Sequence, residues 1–287
     1  MLAPRTMVWV GRVLWLLAPL VFAPAMTSSL DGRSSTVVAV ALGLALTGWT
    51  VALVAVLVPT TVSLTVVRLI VPAALATALV TVAAGATAIA GALAIAQGVL
   101  AMAVAMSAEV GQVFVQGSAY GSERRFSLRP PGPLVLGPLE VAWLVLYAPA
   151  ASGPLLLASR QWLAGSAVTL VAVALVVLLA PRFHRLARRW FVVVPTGVVL
   201  HDPIVLADTA MFPRRQITEI TLAPADSAAL DLTGRALGLA VEVRLRDTAT
   251  VVMAGTMKSR QGRGVHVRSF LFTPSRPGAL LEAVTPE

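Results

Sequence analysis

Between Arg68 and Glu109 the chain carries 40 consecutive residues without a charged side chain. As one helix they would extend about 60 Å at the usual rise per residue. That is twice the roughly 30 Å thickness of a bilayer's hydrocarbon core. The run must therefore fold back once. The turn is expected at Ala83-Ala84-Gly85-Ala86, between spans near 64–83 and 87–108. Its backbone must sit at the interface or under protein, because lipid satisfies no peptide group.

Met7–Met26, Thr36–Val58, Leu139–Ala158 and Trp162–Leu179 read as further spans, giving about six transmembrane helices. Pro19 and Pro24 predict a kinked or frayed second half in the first of them. A signal peptide is the rival reading of that segment. Arg12 interrupts its apolar stretch, and Ala23-Pro24-Ala25 is a poor cleavage site.

Charge marks the boundary of the membrane part. Residues 1–181 hold 12 charged side chains, whereas residues 182–287 hold 23. The expected organisation is a transmembrane helical domain over 1–181, a basic juxtamembrane linker over 182–189 and a β domain over 190–287. Arg124, Arg125 and Arg129 fall in the connection 109–136, and Arg182, Arg185, Arg188 and Arg189 follow the last span. Lys/Arg excess marks the cytoplasmic face. The N-terminus, the 109–136 connection and the C-terminal domain are thus expected in the cytoplasm. With 21 Arg against one Lys and no Asn, the codon bias is GC-rich, which points to the inner membrane of a bacterium.

Ionisable groups at membrane depth are expensive and often functional. Arg68, Glu109 and Glu140, with Gln97, form the candidate intramembrane polar cluster. An Arg68–Glu140 or Arg68–Glu109 pair would pin three helices together; the alternative is that Arg68 snorkels to the interface and both glutamates lie at headgroup level. A small transporter or channel would run its route along these residues. Ala84, Ala88, Ala92 and Ala96 form a small-residue stripe read as internal packing.

Arg182, Arg185, Arg188, Arg189 and Trp190 are the candidate contact with anionic lipid. Strands are expected at Trp190–Val194, Val198–His201, Ile217–Leu222, Leu239–Arg246, Val251–Met257 and Val265–Phe272, then a helix at Gly278–Ala283. Asp247-Thr248-Ala249-Thr250 reads as a turn. The loop with Lys258, Arg260 and Arg263 among glycines is a candidate anion cradle, with a solvated hairpin as the alternative.

Trp190–Val194 with its Pro195-Thr196-Gly197 turn, Phe212-Pro213-Arg214-Arg215-Gln216-Ile217, and Phe272-Thr273-Pro274-Ser275-Arg276-Pro277 carry a resemblance. This stretch resembles the bacterial PH-like domains beside membrane helices in actinobacterial polytopic proteins. The resemblance implies a small, mainly-β PH-like barrel closed by a C-terminal helix. It also implies a non-enzymatic adaptor or scaffold role toward a protein partner or the inner-leaflet surface.

The chain has no Cys, which excludes disulfides, thiolate metal sites and Cys nucleophiles. All three His follow residue 181, so none can ligate haem within the spans. No P-loop, dinucleotide fingerprint, nucleophile elbow or zinc-protease motif occurs. No catalytic, metal or cofactor residue is assigned. Basic charge without interleaved aromatics gives no expectation of nucleic-acid binding. A lipid-handling enzyme at the cytoplasmic face would need acids of the 109–136 connection and the β domain to converge with arginines.

Overall fold

The computed structural model describes residues 3–255 and 262–284. It consists of two compact units, Met1–Phe114 with Glu140–Phe183, and Val115–Leu139 with His184–Glu287.

In the first unit the apolar runs become six helices long and apolar enough to cross a membrane: α1 (Pro4–Ser29), α2 (Ser35–Leu57), α3 (Thr61–Ala83), α4 (Ala88–Met106), α7 (Pro138–Ala158) and α8 (Trp162–Ala187). The chain is a polytopic membrane protein. Local chemistry sets the helix ends. Pro4 opens α1, where its missing N–H costs nothing. Ser34 accepts from the Val37 amide and Thr60 from the Ser63 amide, capping α2 and α3. Between α3 and α4 the chain reverses at Gly85, whose φ of 100° suits glycine.

Helix α1 is packed into the bundle: its Ala18, Phe22 and Ala25 share a buried cluster with Ala78 of α3 and Ala90 and Ala94 of α4. Close approach of α3 and α4 depends on Gly98. A β-carbon there would lie 2.8 Å from the Leu75 α-carbon. The buried stripe of α4 is Ala90, Ala94, Gln97, Gly98, Ala101 and Ala105. Ala84, Ala88, Ala92 and Ala96 are exposed, so that stripe is not the buried face of α4. Indoles satisfy themselves across helices: Trp15 donates to the Trp49 carbonyl (2.9 Å) and Trp49 to that of Trp15 (2.8 Å). Trp143 of α7 donates to the Leu69 carbonyl (2.8 Å), and Tyr147, stacked on Trp143, bonds Thr77 (2.7 Å).

The second unit takes its first elements from the connection between the fourth and fifth spans. There α5 (Ala108–Gln116), most of which belongs to the first unit, is followed by β1 (Arg124–Ser127) and the short helix α6 (Gly132–Val135) before α7. After α8 come β2 (Trp190–Val194), β3 (Gly197–His201) and β4 (Ala210–Pro213), then a 3-10 turn at Arg214–Gln216. They are followed by β5 (Ile217–Leu222), β6 (Leu230–Asp231), β7 (Val241–Met253), β8 (Arg263–Phe272) and α9 (Pro277–Val284). One sheet has the order β1-β2-β3-β4, all antiparallel. The other has the order β5-β7-β8-β6, with β6 parallel to β8. Because β1 pairs with β2, residues 124–127 and 190–194 lie on one side of any membrane. The chain between them therefore crosses an even number of times, as α7 and α8 do.

A single core joins the two sheets. Phe191 of the first stacks on Phe272 of the second at 4.3 Å, and Phe212 on Phe270 at 4.8 Å. Leu280 of α9 is also fully buried in it. The expected PH-like barrel is not formed. The sheets stay separate, with β1 and β4 as edges of one and β5 and β6 as edges of the other. Between them run only the isolated bridges Leu128–Pro274 and Leu206–Met253 among the described residues. Pro213, the last residue of β4, has no N–H to offer a further strand on that edge.

A second difference concerns residues 247–250. They make no turn, because β7 runs through them and pairs with β8 on both sides of an irregularity between Arg244 and Ala249.

Candidate membrane-surface site

The basic stretch 182–189 is helical through Ala187, in the last turns of α8. His184 and Arg185 stand in the final turn, where cations favour the negative end of the helix dipole. Arg182 donates to the Leu178 carbonyl and Arg185 to the Pro203 carbonyl. Arg182, Arg185 and Arg188 are exposed.

Arg189 behaves differently. Its side chain is 1% exposed and forks onto an equally buried Asp202, Nε to Oδ1 at 2.8 Å and Nη2 to Oδ2 at 2.6 Å. Its Nη1 donates to the Arg129 carbonyl. Asp202 also accepts from the Ile204 amide at 3.1 Å. A planar guanidinium meeting a carboxylate through two parallel bonds is among the stronger polar pairings. Arg189 is thus committed to the interior and reaches no lipid.

Trp190 is also engaged. It pairs with His201 across β2 and β3 and stacks on its ring at 4.8 Å. The Arg125 guanidinium lies 5.2 Å from the Trp190 ring centre. Arg125 in turn bonds Glu123 through Nε (3.0 Å) and Nη2 (2.8 Å), holding that carboxyl below its usual range. His201 bonds Thr209 through Nδ1 (2.8 Å), while its Nε2 is buried without a partner among the described residues. Burial, and then Arg188, push its imidazole below the ordinary value.

The outer edge of β1 is closed by a side chain. The Gln116 amide accepts from the Arg125 N–H (2.8 Å) and donates to the Glu123 carbonyl (3.0 Å), as a further strand would. Beyond β1 the chain is clamped to the other sheet. The Arg129 amide donates to Thr273, the Ser275 amide to Ser127, and the Gly132 amide to Arg235, all at backbone carbonyls. Sequence reasoning did not find this clamp or the Arg189–Asp202 pair. The available signal was the alternation Arg125-Phe126-Ser127-Leu128 inside a loop otherwise rich in Pro and Gly.

The intramembrane candidates do not converge. Gln97 donates to the Leu14 carbonyl at 2.5 Å and ties α4 to α1. Glu109 is buried in the first turn of α5, and Glu140 is exposed in the first turn of α7. Among the described residues no ion pair links either glutamate to Arg68. Lys258 and Arg260 lie outside the described residues, while Arg263 opens β8 opposite Met253. No group of His, Cys, Asp and Glu suited to a metal ion occurs among the described residues.

With no barrel, the PH-like adaptor module inferred from the resemblance has no structural basis. Comparison with protein-family models, with curated proteins and with solved structures finds no match to this chain.

Proposed function

We propose that this protein of the bacterial cytoplasmic membrane carries its two-sheet unit on the cytoplasmic side, held against the anionic leaflet by the end of α8. The observation that carries this reading is the division of the arginines. Arg182, Arg185 and Arg188 stay exposed at the point where the helix leaves its apolar stretch, while Arg189 is withdrawn into the core. Each exposed cation near an anionic surface contributes about 1 kcal/mol. The orientation follows from the positive-inside rule applied to Arg124, Arg125 and Arg129 together with this cluster.

Two measurements test the two halves of the proposal. Protease added to intact spheroplasts should leave residues 190–284 whole, and protease added to inverted vesicles should digest them. The opposite pattern would overturn the orientation. In proteoliposomes, tryptic cleavage after Arg182, Arg185 and Arg188 should be about tenfold slower in phosphatidylglycerol than in phosphatidylcholine. The difference should vanish near 1 M salt, where charges are screened within about 3 Å. Equal rates in both lipids at low salt would remove the anionic contact.

A further inference from the structure

Two arginines of the bundle, Arg12 and Arg68, are treated differently. Arg12 of α1 is provided for: its Nε donates to the Val56 carbonyl (3.3 Å) and its Nη2 to Leu57 (3.2 Å) at the C-terminal end of α2. Its guanidinium also lies 4.7 Å from the centre of the Trp9 ring. Arg68 of α3 has none of this. Its Nε is fully shielded and has no hydrogen-bond partner, and no carboxylate of the described residues pairs with it.

The surroundings sharpen the contrast. Arg68 lies seven residues beyond Thr61, the first residue of α3, so about 10 Å along the helix axis. It stands at the end of the bundle where α2 and α4 finish and α7 begins. Four residues on is Pro72, which lacks the N–H that would otherwise engage the Arg68 carbonyl. At the next residue, Leu69, the backbone receives the Trp143 indole, so α7 runs alongside α3 there. A guanidinium at that depth carries a full charge and five donors. It needs an anionic acceptor, and among the described residues no ion pair supplies one.

We infer that Arg68 is the anion-binding residue of an interhelical lipid site beside α3 and α7, which takes the phosphate of an anionic phospholipid. Guanidinium–phosphate pairing supplies the charge and the bidentate geometry, and a phosphate one to two turns below the helix start lies within the reach of an arginine that snorkels. This site is separate from the exposed arginines of α8, and its failure would leave them standing.

The test is native mass spectrometry of the full chain purified in mild detergent. Wild type should retain about one anionic phospholipid per protomer, Arg68→Gln at least tenfold less, and the triple variant Arg182→Gln, Arg185→Gln, Arg188→Gln as much as wild type. Retention by Arg68→Gln equal to wild type would overturn the site, as would wild type that holds no lipid. Should Arg68→Gln fail to fold, delipidated wild type gives the answer. Its thermal midpoint should rise with phosphatidylglycerol and not with phosphatidylcholine. An equal rise with both lipids overturns the inference, and a rise reproduced by inorganic phosphate alone overturns the lipid assignment.

Discussion

Replacing Asp202 by Ala is expected to destabilise the second unit by about 3–5 kcal/mol, the usual consequence of leaving a buried charge without its partner. Arg189 would keep its positive charge in a site where its side chain is 1% exposed, with only the Arg129 carbonyl for company. The Ile204 amide would lose its acceptor as well. Removing both charges should cost far less. Arg189→Met with Asp202→Leu keeps the volume apolar and leaves no ion stranded, and such exchanges are often neutral or stabilising. The comparison needs thermal midpoints of the full-length single and double variants in detergent. A single variant within about 1 kcal/mol of wild type would show that the pair contributes nothing of consequence.

The second large effect concerns the boundary of the unit. A fragment His184–Glu287 expressed alone should not fold. It lacks β1, so β2 loses its outer neighbour, and Phe126 and Leu128 leave a core in which both are buried. Emptying one large buried side chain already costs about 3–5 kcal/mol, against a total stability of roughly 5–15 kcal/mol for a domain. The Arg129 carbonyl that receives Arg189 is lost too. Joining Val115–Leu139 to the fragment through a flexible Gly/Ser linker should restore a cooperative transition. Amide exchange distinguishes the two: protection of β2 and β3 in the short fragment would refute the claim that β1 is integral.

Much of the membrane part was legible because lipid imposes one rule, and a chain that obeys it shows long apolar runs. The fold-back predicted at residues 83–86 coincides with the break between α3 and α4. Within the strand expected at Leu239–Arg246, Val241, Val243 and Leu245 alternate with charged residues, and all three are buried. Barrel closure was not legible. It depends on whether edge strands distant in sequence meet, which the pattern within each strand does not define. Nor was the outer face of β7 as open as its charges suggested. Glu242 is 4% exposed because Ser227 and Arg244 close over it, and the Arg244 bond holds its carboxyl below the usual range.

The candidate site was hardest to read at Arg189. In sequence it is one of a row of basic residues, and nothing local separates it from Arg188. Its partner Asp202 stands before Pro203, a dipeptide that favours turns. The two come together only because the β2–β3 hairpin brings the start of one strand beside the end of the other. Arg68 posed the reverse problem. The residue was conspicuous, but whether Glu109 or Glu140 would answer its charge depended on helix rotations that periodicity in so uniformly apolar a run does not define.

The pairing of β1 with β2 also orders events during synthesis. Between Ser127 and Trp190 lie 62 residues, including both helices of the α7–α8 hairpin. At about 5–20 residues per second, β1 waits roughly 3–12 s before its neighbour exists. During that interval Phe126 and Leu128 have no sheet to enter. If α7 and α8 insert as a pair, β2 returns to where β1 is waiting and the unit can close. If only one of them inserts, the two strands are stranded in different compartments and no amount of time brings them together. Completion of the sheet therefore records that the last hairpin was threaded correctly. A mis-inserted chain is left with an unpaired strand and two bare core residues, the features by which proteolytic surveillance distinguishes failed products from finished ones.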